Sequence, residues 1–161
     1  MTRFSTPNIR SGLATVAGIT LMTVAGPAVW AAPEPAKGTN VTIKLQSVKP
    51  SPHKIYISLQ KQEEFMQEKG SYGDIIVLTA GGQKDVVIPN VTPGDYSVSI
   101  WHDIDGDNKF TMDASGMPAD GWGMYQGEKL RAMPTWDSVK FTVSDKGAAI
   151  PVTVQYPKAK S

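Results

Sequence analysis

The sequence predicts an all-β protein, a seven-stranded antiparallel β-sandwich that carries one long ordered loop. Beyond residue 40, apolar and polar residues alternate with a period of two, which is the pattern of strands with one buried face. These alternating stretches are short, and they end at clusters of Pro, Gly and Asp that favour turns. Only residues 63–69 look helical. Many short strands separated by turns are typical of a sandwich.

The predicted strands are residues 41–46, 55–60, 75–78, 86–88, 96–101, 139–143 and 150–156. In the fifth of them, alternation predicts that Val98 and Ile100 face the core, whereas Ser97 and Ser99 face outward. The third is different because residues 75–78 form an unbroken apolar run, which predicts a strand that is covered on both faces.

The interval between the fifth and sixth predicted strands, residues 103–135, is unusually long and has no periodicity. A stretch of this length inside a compact domain is usually either functional or disordered. Its large apolar side chains argue against disorder, and they are Met112, Met117, Trp122, Met124, Tyr125, Met133 and the neighbouring Trp136. We therefore expect an ordered loop that packs on an edge of the sandwich.

The N-terminus has the composition of a secretory signal peptide. Arg3 and Arg10 precede the uncharged, largely apolar residues 13–25, and Val29 and Ala31 supply the small residues of a cleavage site. We predict a cleaved signal peptide at 1–31, a flexible leader at 32–39, and a single sandwich domain at 40–158. The alternative is an uncleaved membrane anchor, which the shortness and the Thr and Gly content of the segment disfavour. Cleavage would make the protein periplasmic or secreted.

Charge and cysteine content exclude several function classes. Cleavage after Ala31 removes two of the 16 basic residues and none of the 15 acidic ones, so the net charge becomes −1. This balance argues against nucleic acid and against an anionic membrane surface as partners. The sequence has no cysteine, which excludes disulfides, thiolate zinc sites, thiol catalysis and a lipid anchor on an N-terminal Cys.

The most informative segment is His102-Asp103-Ile104-Asp105-Gly106-Asp107-Asn108-Lys109, directly after the fifth predicted strand. Carboxylates this close together repel one another unless a cation lies among them. Oxygen ligands on a short loop favour a hard divalent cation, above all Ca²⁺. The alternative is a solvated acidic turn in which Asp-Gly is present for its backbone geometry.

An EF-hand-type calcium loop takes ligands from its positions 1, 3, 5, 7, 9 and 12. When Asp103 is counted as position 1, position 12 is Ala114 rather than Glu, and Asp113 lies one residue before it. We therefore expect only modest affinity for calcium. The predicted calcium ligands are Asp103, Asp105, Asp107, the carbonyl of Lys109, Thr111 and Asp113.

His102 beside Asp103 permits a catalytic interpretation, in which the pair would serve a hydrolase. Strand alternation instead places His102 on the inward side with Ile100, where we expect a packed histidine bonded to a loop carbonyl. Zinc is disfavoured because His102 would be the only nitrogen ligand beside the aspartates.

Aromatic residues offer a second kind of site. Trp122, Tyr125 and Trp136, with Trp101, would suit a carbohydrate or a peptide, because aromatic side chains offer large apolar faces and, in Tyr and Trp, a polar group. The interpretation that we favour is that these side chains bury to hold the long loop on the sandwich.

Together these motifs resemble a known family. The residues that carry the resemblance are Pro93-Gly94-Asp95-Tyr96, the acidic segment that starts at His102, Gly116-Met117-Pro118, Asp120-Gly121-Trp122-Gly123 and Pro134. From about residue 41 to 156 the chain is similar to an exported bacterial family named domain of unknown function 2141 (DUF 2141). The resemblance implies export and a seven-stranded sandwich of the immunoglobulin/transthyretin-like or carboxypeptidase-regulatory-like type, with no known activity.

The chain departs from the family pattern in the acidic segment. Asp105 and Asp107 stand where the pattern has amide residues, and Asn108 stands where it has Gly. Asn tolerates a left-handed backbone better than most residues, so the turn can be kept.

We therefore expect an exported, non-enzymatic β-sandwich protein without catalytic residues that binds calcium in its acidic loop. Its partner is unknown, and no nucleic acid or membrane is expected after signal cleavage. There are two alternative functions. One is a carbohydrate- or peptide-binding module with a cell-envelope or saccharide partner, and the other is a hydrolase that uses His102 and Asp103.

Overall fold

A computed structural model describes residues 37–157, and its strands form two sheets, which confirms the all-β sandwich. The strands are β1 (Thr39–Val48), β2 (Lys54–Gln60), β3 (Tyr72–Val77), β4 (Gly82–Val91), β5 (Gly94–His102), β6 (Gly121–Met124), β7 (Phe141–Val143) and β8 (Ala148–Thr153). The short helical elements are the 3₁₀ turns Gln62–Glu64 and Gly127–Lys129 and the helix α1 (Trp136–Val139).

The predicted signal peptide, residues 32–36 of the predicted leader and residue 158 lie outside the described residues. Within residues 37–157 there is no helix with the length and apolar character needed to cross a bilayer.

The first sheet has the strand order β4-β1-β8, and the second has the order β3-β2-β5-β6, with β7 also paired to β5. All pairs are antiparallel except β1 with β8, which is parallel and in which Val41 lies opposite Ala148. The prediction that all strand pairs are antiparallel is wrong for this one pair. The reason is that the chain leaves the second sheet after β7 and crosses to the first, where β8 runs in the same direction as β1.

The core lies between the two sheets and is built by alternate residues of each strand. Val98 and Ile100 are buried as predicted. The fully or almost fully buried apolar residues also include Val41, Ile43, Leu45, Ile55, Ile57, Leu59, Val86, Ile88, Val91, Tyr96, Val143 and Val152. Burial of this apolar surface is the main favourable term in folding.

Ser97 was expected to face solvent, and this expectation is wrong. Ser97 is fully buried, as is Gln60, which lies opposite it on β2. The side-chain amide of Gln60 donates a hydrogen bond to the carbonyl of Gln67 at 2.6 Å, because the segment after β2 folds back over this end of the outer face.

The third strand was expected to be covered on both faces, and this is also wrong. β3 is the edge strand of its sheet and pairs only with β2, and the side chains of Ile75 and Val77 on its outer face are 57% and 51% exposed. Ile76 and Leu78 pack against the core. An apolar run does not distinguish a central strand from an edge strand.

The long loop is ordered, but it contains an eighth strand that alternation did not reveal. β6 pairs with the last part of β5, and its inward positions are Gly121 and Gly123 rather than large apolar residues. A Cβ at Gly121 would lie 2.5 Å from Cε1 of Tyr156, so the close approach requires glycine there. The predicted helix at 63–69 is reduced to the 3₁₀ turn Gln62–Glu64.

Candidate metal centre

The acidic loop begins where β5 ends, and it is wound around the carboxylate of Asp103. This side chain is 1% exposed. Its Oδ1 accepts a hydrogen bond from the backbone N–H of Gly106 at 2.8 Å, and its Oδ2 accepts one from that of Asn108 at 3.1 Å. Gly106 and Asn108 have φ values of 79° and 58°, which confirms that Asn108 adopts the left-handed conformation. The loop therefore folds around a buried carboxyl group.

Asp120 closes the other end of the same loop, immediately before β6, and it is 2% exposed. Its Oδ2 accepts hydrogen bonds from the indole N–H of Trp101 at 3.2 Å and from the backbone N–H of Thr111 at 3.4 Å. Its Oδ1 accepts one from the backbone N–H of Ile104 at 3.3 Å. Burial raises the pKa of the Asp120 carboxyl above its ordinary value, in opposition to these hydrogen bonds.

Asp103, Asp105 and Asp120 form one cluster in which a carboxylate oxygen of each lies within 4.8 Å of the others. Asp103 and Asp120 are buried and Asp105 is exposed. The ion pairs among residues 37–157 involve Asp85, Asp95 and Asp137, so no lysine or arginine neutralises the cluster. A carboxylate offers about four lone-pair sites, so oxygens that already accept a backbone N–H keep capacity for a cation.

The other predicted aspartate ligands, Asp107 and Asp113, lie outside this cluster, and their carboxylates bond to their own turns. Oδ1 of Asp107 accepts a hydrogen bond from the backbone N–H of Lys109 at 2.8 Å. Oδ1 of Asp113 accepts hydrogen bonds from the hydroxyl and N–H of Ser115 at 2.6 and 2.8 Å. Thr111 adjoins the cluster through its N–H bond to Asp120.

Sequence reasoning missed Asp120, because an EF-hand-type spacing looks only at the residues that follow Asp103. The available signal was the Asp-Gly-Trp-Gly motif at residues 120–123. This motif becomes informative once β6 is seen to pair with the end of β5, since that pairing brings Asp120 back to the start of the loop.

Aromatic side chains on the outer face of the second sheet support the loop. In the strand register Tyr56 lies opposite Trp101, and Trp101 lies opposite Trp122. The rings of Tyr56 and Trp101 stack with centroids 4.4 Å apart, and Phe110 of the loop meets Trp101 edge to face at 6.1 Å. The hydroxyl of Tyr56 also donates a hydrogen bond to Oδ1 of Asn108 at 3.3 Å.

The three aromatic residues predicted as a ligand site do not share one surface. Tyr125 meets Phe141 with a centroid distance of 5.9 Å and packs against the core. Trp136 meets Phe65 at 5.8 Å and lines a cleft to which neither Trp122 nor Tyr125 contributes.

His102 faces inward as predicted and is fully buried. Its Nδ1 lies 2.6 Å from the hydroxyl of Tyr156, so the expected bond to a loop carbonyl is wrong. That hydroxyl also accepts a hydrogen bond from the backbone N–H of Lys49 at 2.9 Å. Nε2 of His102 has no hydrogen-bond partner among residues 37–157. Burial lowers the pKa of His102, which favours the neutral imidazole.

Comparison with known proteins gives one family. The family described as "Uncharacterized protein conserved in bacteria (DUF2141)" matches residues 41–151, which is most of the chain and includes every residue of the carboxylate cluster. Neither the curated proteins nor the solved structures give a significant match.

Proposed function

Since the chain belongs to this uncharacterised bacterial family, DUF2141, we propose that it is an exported, non-enzymatic β-sandwich domain whose long loop is fastened by a bound calcium ion. The ligands are Asp103, Asp105 and Asp120. The role is structural or in binding, and the ion keeps the loop in one conformation.

The single observation that carries this proposal is the pair of buried carboxylates, Asp103 and Asp120, whose oxygens approach within 4.8 Å without a basic partner among the described residues. Two ionised carboxylates in a poorly solvated place are costly unless a cation compensates them. A purely oxygen donor set favours a hard cation over zinc, and a loop of this kind suits the flexible coordination of Ca²⁺ better than the strict octahedron of Mg²⁺.

The ion would join the two ends of the loop, because Asp103 follows β5 directly and Asp120 precedes β6 directly. A cation that binds only the folded loop stabilises the domain by mass action, by about 2.7 kcal/mol at a hundred times its dissociation constant. Three carboxylates without a bidentate glutamate at position 12 imply the affinity of extracellular modules, roughly 10⁻⁴–10⁻³ M.

Export rests on the signal-like residues 1–31, and a periplasmic or extracellular location would supply such calcium concentrations. The hydrolase alternative loses support because His102 is fully buried and Nδ1 is engaged with Tyr156. A general base must reach the proton that it abstracts, and this imidazole has no path to a substrate without opening the domain.

The proposal is tested by thermal unfolding of the purified protein, first with a chelator and then with millimolar calcium or magnesium. Calcium is expected to raise the melting temperature, and magnesium is expected to raise it less. Identical melting temperatures in chelator and in calcium would contradict the proposal.

A further inference from the structure

A second place on the domain has the features of a ligand site, and it is separate from the carboxylate cluster. A cleft of about 320 Å³ lies beside the 3₁₀ turn Gln62–Glu64, the turn between β4 and β5, and α1. This volume is at the lower end of the range for small-molecule sites, about 300–1,000 Å³. The residues that line the cleft include Lys61, Glu63, Thr92, Asp95, Tyr96, Trp136 and Lys140.

The aromatic wall of the cleft is Trp136. This indole is half-buried, and its edge-to-face contact with Phe65, at a centroid distance of 5.8 Å, fixes its position. The start of α1 is held as well, because the hydroxyl of Ser138 accepts a hydrogen bond from the backbone N–H of Thr135 at 3.0 Å. A pre-positioned aromatic side chain loses little conformational entropy when a ligand binds.

The charged groups of the cleft balance each other. The ammonium of Lys140 lies 3.0 Å from Asp137 and 3.9 Å from Asp95, so ion pairs already compensate the positive charge of this lysine. Lys61 takes part in none of the ion pairs among residues 37–157, and the exposed Glu63 lies on the same rim. Among the described residues that line the cleft, the two basic side chains, Lys61 and Lys140, are matched by two acidic ones, Glu63 and Asp95, so the rim offers both donors and acceptors and favours a ligand with no net charge.

The floor of the cleft is a fixed set of hydroxyl groups. Tyr96 is 1% exposed, and its hydroxyl donates a hydrogen bond to the carbonyl of Thr92 at 2.9 Å. The hydroxyl of Thr92 lies 3.0 Å from that of Tyr96 and 3.1 Å from that of Tyr72. The half-buried hydroxyl of Thr92 is thus held by both tyrosines, and its remaining lone pair can accept a hydrogen bond from a ligand hydroxyl.

From these three features we propose that the cleft binds a neutral hexopyranose of an oligosaccharide. The apolar face of the sugar packs on Trp136, and its hydroxyls bond to Lys61, Glu63 and Thr92. A flat ligand that is apolar on one face and surrounded by hydroxyls matches an indole wall with balanced charges around it. Binding does not require calcium, because none of the cluster carboxylates lines the cleft.

The test is isothermal titration calorimetry of the purified protein, in chelator, with four neutral trisaccharides made of glucose, galactose, mannose or N-acetylglucosamine. Trigalacturonic acid and trialanine are the charged and the peptide comparisons. At least one neutral trisaccharide is expected to bind at millimolar concentration, and more tightly than either comparison ligand.

Trp136→Ala is expected to weaken that binding by about tenfold or more, because it removes the large apolar face on which the sugar packs. Lys61→Met should weaken it by several-fold. Lys84→Met, a change at an exposed lysine of β4 that does not line the cleft, should leave binding unchanged. Circular dichroism establishes that each variant is folded.

Three results would overturn the proposal. They are the absence of binding by all four neutral trisaccharides, stronger binding of trigalacturonic acid or trialanine, and wild-type affinity in both folded variants, Trp136→Ala and Lys61→Met. Because the titration is made in chelator, its failure is distinct from a failure of the calcium proposal.

Discussion

The indole N–H of Trp101 donates a hydrogen bond to Oδ2 of Asp120 at 3.2 Å, across a sequence separation of 19 residues. This bond ties the last part of β5 to the end of the acidic loop. It also places a neutral donor on a buried carboxylate that no basic residue among positions 37–157 neutralises. Tyr56, Trp101 and Trp122 form an aromatic row across the second sheet. Trp101 is thus both a member of this row and a positioning residue for the carboxylate cluster.

Trp101→Phe keeps an aromatic ring against Tyr56 and removes the N–H donor. We expect it to destabilise the protein by about 1–3 kcal/mol, because a buried acceptor loses a partner and ring volume is lost. It should also reduce the stabilisation by calcium. Trp122→Phe is the matched control, since Trp122 lies in the same row but donates no side-chain hydrogen bond among the described residues. Urea unfolding measures the free energy of unfolding of both variants. Equal losses of stability in the two would show that only ring volume matters.

Two glycines of the loop allow a matched test of its packing. Gly106 and Gly116 have φ values of 79° and 78°, so alanine is strained at both by about 1–2 kcal/mol. A Cβ at Gly106 would lie 2.5 Å from Cε1 of His53, whereas one at Gly116 would meet nothing within 4 Å. We expect Gly106→Ala to lower the melting temperature more than Gly116→Ala does, because the His53 ring must move aside. Equal effects would mean that the loop does not rest on His53.

A substitution at Ser97 tests whether the outer face of the second sheet is covered at this position. Its hydroxyl is buried and has no hydrogen-bond partner among residues 37–157. Ser97→Ala removes this unpaired polar group, so we expect a gain in the free energy of unfolding of up to about 1–2 kcal/mol. Val98→Ala, on the opposite face, should cost about 1–3 kcal/mol because it removes buried methyl groups. A large loss of stability in Ser97→Ala would show that its hydroxyl has a partner.

His102 predicts a pH dependence of stability. Burial lowers its pKa in the folded state below the ordinary value of 6.5. The unfolded chain therefore takes up the proton first, so the stability due to neutral His102 is present above pH 6.5 and is lost as the pH falls through the folded-state pKa. Urea midpoints in chelator should decrease between neutral and mildly acidic pH. The glutamine of His102→Gln cannot titrate, so the urea midpoint of this variant should decrease less with falling pH. An unchanged decrease in the variant would show that another group causes it.

Much of the fold was predictable, because alternation reports directly which strand residues are buried. The prediction failed at Ser97, which is buried on the outer face although alternation predicts exposure, and also where a strand lacks alternation. β6 presents Gly121 and Gly123 to the interior, and β3 has apolar residues although it lies at an edge. The parallel pairing of β1 with β8 depends on how the chain crosses between sheets, which a local pattern does not contain.

The site was predictable only in part, for the same reason. Asp103 and Asp105 are neighbours in sequence, and their proximity follows from their spacing. Asp120 joins them only through the pairing of β5 with β6, a tertiary relationship. Asp107 and Asp113 have the right residue type, but the path of the loop does not bring their carboxylates to those of Asp103 and Asp120. A ligand-spacing rule does not contain the path of the loop.

The most direct test of the calcium proposal is calorimetric titration of the chelated protein with calcium, in the wild type and in two single variants. Asp120→Asn alters a buried member of the cluster, and Asp107→Asn alters an exposed aspartate of the same loop outside it. We expect one calcium per chain in the wild type, loss of binding in Asp120→Asn, and nearly unchanged binding in Asp107→Asn. Absence of calcium binding in the wild type, or loss in Asp107→Asn with retention in folded Asp120→Asn, would contradict it.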